Sequence, residues 1–284
     1  MTYSELTDSG VLRLKEEGFT EARTDVRQIL MYVGGMNLAE LLFDGAKEVP
    51  KEQELHFWEL LEQRMRHMPV QYMTGEQEFC GLKFRIRPGV LIPRPETELL
   101  AEEVFKRSAG KRVLDLCTGS GCIAVTVSKL GAPEFTAASD VSETALRTAE
   151  ENAALNGADI TFFQGDLFET VTGEYDIIVS NPPYIKTGVI NGLMPEVKEF
   201  EPHLALDGGE DGLVFYRRIC KEAKKFLRQN GRLMFEIGHD QGREVSDLLE
   251  SENYREIEIK KDYAGLDRMV FAVWPDKNKE NKDV

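Results

Sequence analysis

Cysteine, histidine and tryptophan are scarce in this chain of 284 residues, at four, four and two. Cys80, Cys117, Cys122 and Cys220 form no C-x-x-C pair, and Cys117 and Cys122 stand five apart. Neither a disulfide framework nor a metal site is therefore expected; reduced core thiols suit a reducing cytosol. Long apolar runs are missing too: none approaches the ~18 residues of a membrane span. The first ten residues, MTYSELTDSG, are polar and acidic, unlike a secretory leader. Basic residues are outnumbered, 35 Lys plus Arg against 50 Asp plus Glu, for a net charge of −15. Such a field repels nucleic acid unless a local basic patch offsets it. A soluble, cytoplasmic monomer is expected, with no membrane partner and no direct nucleic-acid partner.

What is present is 42% hydrophobic residues, enough for one large domain or a large one plus a small one. Residues 1–74 read as helical. Thr20 is a candidate N-cap, followed by Val26, Ile29, Leu30 and Val33 at i, i+3, i+4 and i+7, with Gly34-Gly35 as the stop. Asn37 could cap a short helix through Leu41. Pro50, a good first-turn residue, precedes a stripe of Phe57, Leu60, Leu61 and Met65. Residues 75–92 read as a β-hairpin linker turning at Gly81, and "IPRPETE" (92–98) starts a helix.

From residue 93 to 276 strands alternate with helices. Strands are expected at 112–117, 134–140, 160–164, 175–180, 231–237, 255–260 and 268–274. Helices are expected from Gly121, over 143–156, near 212–228 and near 240–251. Repeated β-α-β units imply an α/β fold, a doubly wound, mostly parallel seven-stranded sheet. The connection 261–267 is too short for a parallel crossover, so the last two strands should pair antiparallel. The polar residues 277–284 are expected to be a disordered tail.

"LDLCTGSGCIA" places Gly119-x-Gly121-x-x-Ala124 directly after a strand, a pattern that lets a ligand approach the backbone closely. Asp140 ends the next strand, where a carboxylate can accept hydrogen bonds from both ribose hydroxyls of a nucleoside. Asp115, four residues before Gly119, completes D-x-x-x-G-x-G. This resembles motif I of class I S-adenosylmethionine-dependent methyltransferases. A carboxylate there suits a ligand carrying an ammonium and a sulfonium better than one carrying a pyrophosphate. Asp166 lies just past the third of these strands. In enzymes similar to this one, an acid there faces the adenine amino group and the next residue, Leu167, flanks the ring; a plain turn aspartate after Gly165 is the alternative.

"SNPPYI" (180–185) ends the fourth strand at the sheet edge where ligands bind in doubly wound folds. The Asn181 side-chain oxygen and the Pro182 carbonyl can each accept one N–H of a target NH2. Pro182 and Pro183 stiffen the loop and carry no N–H. Tyr184 offers a flat face for a planar group. N-P-P-Y serves methylation of adenine amino groups as well as of glutamine amides. The segments "PVQYMTGEQEF", "GVLIPRPETE", "EPHLALDGGEDGLVFYRRI", "FEIGHDQG" and "KDYAGLDRMVFA" together resemble the release-factor glutamine N5-methyltransferase family, called PrmC or HemK.

The resemblance implies transfer of a methyl group from S-adenosyl-L-methionine, leaving S-adenosyl-L-homocysteine. The acceptor it implies is the glutamine of Gly-Gly-Gln in class 1 peptide chain release factors, docked by the helical residues 1–74. It assigns cofactor binding to Cys117, Thr118, Gly119, Ser120, Gly121, Asp140, Asp166, Leu167 and Asn181. The substrate amide falls to Asn181, Pro182, Pro183 and Tyr184. Cys117 stands where relatives often have glycine. Arg94 either walls the site or pairs with Glu96 or Glu98. Glu236 and His239 read as structural. Two other functions are open: an adenine amino-methyltransferase acting on DNA or RNA, which should carry a basic channel, and a non-enzymatic binding module.

Overall fold

The computed structural model describes residues 1–275; the expected tail lies outside them. No helix among the described residues is long and apolar enough to cross a membrane. The chain divides into two compact units, Met1–Gly75 with Pro195–Phe200, and Glu76–Met194 with Glu201 onward.

The first unit is helical. α1 (Tyr3–Glu16) opens on a capping box between Thr2 and Glu5. α2 (Ala22–Gly34) starts after Glu21 with no side-chain cap, so Thr20 is not its N-cap; Thr20 lies within the preceding turn. Gly35 ends the helix in the left-handed conformation. Asn37 does cap α3 (Leu38–Phe43), in a second capping box with Glu40. Pro50 occupies the cap position of α4 (Lys51–Met65) rather than its first turn, and α5 (Val70–Thr74) follows. Val26, Ile29 and Leu30 bury against Phe57, Leu60 and Leu61. Within this core sits a charge. Arg64 Nε donates to Asp25 Oδ2 at 2.8 Å and Nη2 to Glu196 Oε1 at 2.9 Å, with the guanidinium 4.2 Å from the Phe19 ring centre.

The second unit opens with β1 (Glu76–Phe79) and β2 (Leu82–Arg85), joined by Cys80-Gly81 with φ of 49° and 73°. Two positive φ values give the turn whose twist matches a hairpin. There follow α6 (Pro95–Phe105), β3 (Arg112–Leu116), α7 (Cys122–Leu130), β4 (Phe135–Asp140), α8 (Glu143–Asn156), β5 (Thr161–Gln164) and β6 (Tyr175–Ser180). After α9 (Pro195–Phe200), which counts with the first unit, come α10 (His203–Leu206), α11 (Val214–Glu222), β7 (Leu227–Glu236), α12 (Gly242–Ser251), β8 (Arg255–Lys261) and β9 (Asp267–Val273). Asn152 of α8 holds the hairpin: its Oδ1 accepts the Arg85 N–H and its Nδ2 donates to the Arg85 carbonyl.

The seven strands run in the order β5-β4-β3-β6-β7-β9-β8. All neighbours are parallel except β9, which is antiparallel to both β7 and β8. Strand order reverses between β3 and β6, so a crevice opens past their carboxyl ends. The helix expected over 212–228 is shorter. The Tyr175 N–H bonds to the Phe226 carbonyl at 2.7 Å and Tyr175 pairs with Leu227, drawing the chain into the sheet early.

Arg64→Ala would leave Asp25 and Glu196 without their cation in a mostly buried setting. The first unit should lose about 3 kcal/mol, read by urea unfolding followed through Trp58 fluorescence; an unchanged midpoint would contradict this.

Candidate active site

The turn after β3 is built from left-handed residues: Cys117 (φ 59°), Gly119 (56°) and Gly121 (80°). Cys117 adopts the conformation a glycine would give, at the steric cost of an L side chain. Its thiol is pushed up in pKa, by burial and then by Asp140, so it is no nucleophile. Gly121 caps α7 where that helix crosses α8; a Cβ there would lie 2.9 Å from Ala149 Cβ. Two acids brace the turn. Asp115 Oδ2 accepts the Thr118 hydroxyl at 2.6 Å and the Ala124 N–H at 3.2 Å, while its buried Oδ1 has no partner. Asp140 Oδ2 accepts the Gly119 N–H and Oδ1 the Ser142 N–H, both at 2.9 Å. Each Asp140 oxygen keeps a lone pair for a further donor.

At the end of β6, Ser180 Oγ donates to the Leu116 carbonyl at 2.8 Å, tying the two loops together. Asn181 Nδ2 donates to Thr97 Oγ1 of α6 at 3.2 Å. Glu236, the last residue of β7, is buried beside Thr97 and Asn181. The next turn of the loop is fixed by Gln241, whose Nε2 donates to the carbonyls of Tyr184 (3.1 Å) and Gly212 (3.2 Å) and whose Oε1 accepts the Gly238 N–H (2.9 Å). Gly212 (φ 76°) packs so close that a Cβ would meet the Tyr184 carbonyl oxygen at 2.4 Å. The "DGGEDG" stretch is thus glycine-rich because it folds directly over the N-P-P-Y loop.

A cavity of about 340 Å³ opens past these strand ends. Its wall includes Arg94, Cys117, Thr118, Gly119, Ser120, Asp140, Asp166, Leu167, Asn181 and Pro183, so most of the expected residues meet in one place. Gly121, Pro182 and Tyr184 do not line it. Gly121 lies at the helix crossing. Along an extended loop successive side chains face opposite ways: Pro182 is buried, and the Tyr184 ring packs against the core instead of presenting a face to the cavity. Arg94 pairs with neither Glu96 nor Glu98. Its Nη2 donates to Glu201 Oε1 at 2.5 Å, and Glu98 instead accepts the Cys80 N–H. Asp166 is exposed and paired with Arg218 at 2.8 Å. Glu236, expected to be structural, lies beside Asn181. Gln241, Glu201 and Arg218 were equally silent in sequence, since their partners lie far along the chain.

The donor set fits an adenosyl sulfonium. Apolar Val90, Leu91, Ile123, Val141 and Phe215 form walls for a flat ring, and Asp140 keeps acceptor capacity at the rim. The orphaned Asp115 Oδ1 lies one hydrogen bond behind the Thr118 of that wall.

Burial pushes both Asp115 and Glu236 up to about 7. In the unfolded chain such groups titrate near ~4. The folded protein therefore binds more protons than the unfolded one between those values, so stability falls as pH rises. The melting temperature should drop from about pH 5.5 to pH 8, and the Asp115→Asn/Glu236→Gln pair should flatten that drop. A melting temperature that climbs across this window in the unaltered protein would contradict the assignment.

Residues 94–196 match the family described as Methyltransferase small domain, and residues 5–75 the PrmC N-terminal domain. Two proteins named release factor glutamine methyltransferase, from Thermodesulfovibrio yellowstonii and Clostridium acetobutylicum, are each 41% identical to this chain. The matches cover 87% and 92% of this chain and 91% and 94% of theirs. Among solved structures, a methyltransferase from Pyrococcus furiosus shares the fold, with a TM-score of 0.56 at 19% identity over 69% of this chain and 91% of that one. A 16S rRNA N2 G1207 methyltransferase from T. thermophilus, solved with AdoMet and guanosine, has a TM-score of 0.51 at 20% identity, covering 70% of this chain and 49% of that one. The 41% identity over nearly the whole length of the two release factor glutamine methyltransferases places the chain in that family.

Proposed function

We propose that the protein methylates the side-chain amide nitrogen of the glutamine in the Gly-Gly-Gln motif of class 1 peptide chain release factors, using S-adenosyl-L-methionine. The observation that carries this is Asn181, a carboxamide on the cavity wall with its nitrogen bonded inward to Thr97. When bound, S-adenosyl-L-methionine supplies a methyl group made electrophilic by its sulfonium. Asp140 would hold the ribose hydroxyls, with Asp166 and Leu167 beside the adenine. The 117–121 turn would hold the amino-acid portion, close to the charge of Asp115.

The chain's own task is to prepare a poor nucleophile. A carboxamide nitrogen shares its lone pair with the carbonyl. Asn181 Oδ1 and the Pro182 carbonyl each accept one of its N–H groups and hold it with the lone pair aimed into the cavity. The stiff Pro-Pro backbone sets the spacing of these acceptors, and Gln241 clamps the loop from behind. Arg94, held by Glu201, and Pro183 close the wall. The helical first unit docks the body of the release factor, and the enzyme works as a cytoplasmic monomer. A DNA or RNA adenine substrate fits less well with a charge of −15.

Tritium transfer to purified release factor against duplex DNA separates the two readings; label on DNA alone would overturn the first. Asn181→Ala should lower kcat about a hundredfold, with cofactor affinity held within about twofold. If calorimetry showed cofactor binding abolished, Asn181 would have a different role. Asp140→Ala should weaken cofactor binding about tenfold or more, since it removes a buried charge-assisted acceptor; unaltered affinity would remove the ribose assignment.

A further inference from the structure

Glu236 is 1% exposed and has no catalytic part in the scheme above, yet a lone carboxylate buried without an ion pair is costly to keep. Its surroundings are specific. Thr97 of α6 and Asn181 after β6 both lie against it, and Asn181 Nδ2 donates to Thr97 Oγ1 at 3.2 Å. Oε2 has no partner. The other groups facing it are Arg268 on β9, Glu96 on α6, Cys122 on α7, Tyr184, and Tyr216 on α11, whose hydroxyl donates to the Glu236 main-chain carbonyl. Arg268 is drawn off by Asp262 at 3.3 Å and leaves the carboxylate unpaired.

The direction of donation around this carboxylate is dictated by chemistry. An ionised carboxylate only accepts. The Thr97 hydroxyl takes the Asn181 N–H on a lone pair, and its own proton is the one that a carboxylate beside it can accept. The Asn181 carboxamide can answer both neighbours with its nitrogen and with nothing else. Its Oδ1 then has to face the other way, toward the cavity that Asn181 lines. A flipped amide would offer N–H groups to the N–H groups of the substrate, donor against donor.

We propose that Glu236, acting through Thr97, is the positioning residue that locks the Asn181 carboxamide with its oxygen toward the substrate; the inference rests on the amide methylation proposed above. Protonation supplies the converse. Burial holds this carboxyl at about 7, and once protonated it can donate, so the amide loses its enforced orientation. A residue that only filled space would need no charge here, because an apolar side chain of similar volume would pack at lower cost.

The test uses the full chain with Glu236→Gln, Glu236→Leu and Thr97→Val. Without cofactor or substrate, the Asn181 side-chain 15N–1H signals, assigned by their loss in Asn181→Ala, should shift with a midpoint near ~7 in the unaltered protein. In Glu236→Gln the shift should vanish, although Asp115 still titrates. In Glu236→Leu and Thr97→Val, kcat on release factor should fall roughly tenfold to hundredfold, with KM and S-adenosylhomocysteine affinity within about twofold. Glu236→Gln, which keeps an acceptor, should lie between. Should Glu236→Leu fail to fold, Thr97→Val and Glu236→Gln carry the kinetic arm. Asn181 signals indifferent to pH and to Glu236→Gln, or full kcat in Thr97→Val, would overturn the proposal. If the unaltered protein transfers no methyl to release factor, amide methylation is lost instead, while the resonance arm still decides the orientation.

Discussion

A carboxylate buried at the end of a parallel strand accepts hydrogen bonds and gives none, and this constraint shapes the site. Asp115, Asp140 and Glu236 all sit in or at the end of strands that stop at one sheet edge. Each dictates the direction of the donors around it. Asp115 turns the Thr118 hydroxyl and the Ala124 N–H inward; Asp140 captures the N–H groups of Gly119 and Ser142. Glu236 presents the same acceptor chemistry to Thr97 and Asn181 beside it. The loops that would meet the ligands are therefore organised from behind, by acceptors that do not themselves reach the reacting atoms.

Rigidity at this edge has a cost in backbone strain. Cys117 and Leu167 both line the cavity with left-handed φ values of 59° and 55°. Each costs about 1–2 kcal/mol for an L residue. The surrounding bonds over-determine them: Ser139 Oγ, for example, donates to the Leu167 carbonyl at 2.9 Å. Strain held in this way is typical of sites where position matters more than stability. The same holds for Gly212, where contact with the Tyr184 carbonyl leaves no room for any side chain.

Much of this was legible in the residues because it is local. The glycine turn, Asp140 and the Asn-Pro-Pro stop announce themselves by spacing along a strand–turn–helix unit, and the alternation of strands and helices gave the sheet. The antiparallel end followed from a short connection. What stayed hidden depends on distance along the chain. Asn181 meets Thr97 across 84 residues, Arg94 meets Glu201 across 107, and Gln241 reaches Tyr184 across 57. No local pattern reports such pairs, so Glu236 read as structural and the sequence left Arg94 open between the cavity wall and a neighbouring glutamate. Tyr184 misled for another reason: an aromatic after Pro-Pro can face the ligand or the core, and only packing decides which.

The proposed methyl transfer depends on the orientation of one amide at the cavity wall. Its most direct measurement is a crystal structure of the protein with S-adenosylhomocysteine and a Gly-Gly-Gln peptide. The expected result has the glutamine nitrogen within hydrogen-bond distance of both Asn181 Oδ1 and the Pro182 carbonyl, with Asn181 Nδ2 still on Thr97. A peptide bound with that nitrogen away from Asn181, or an Asn181 turned so that its own NH2 faces the glutamine, would contradict it.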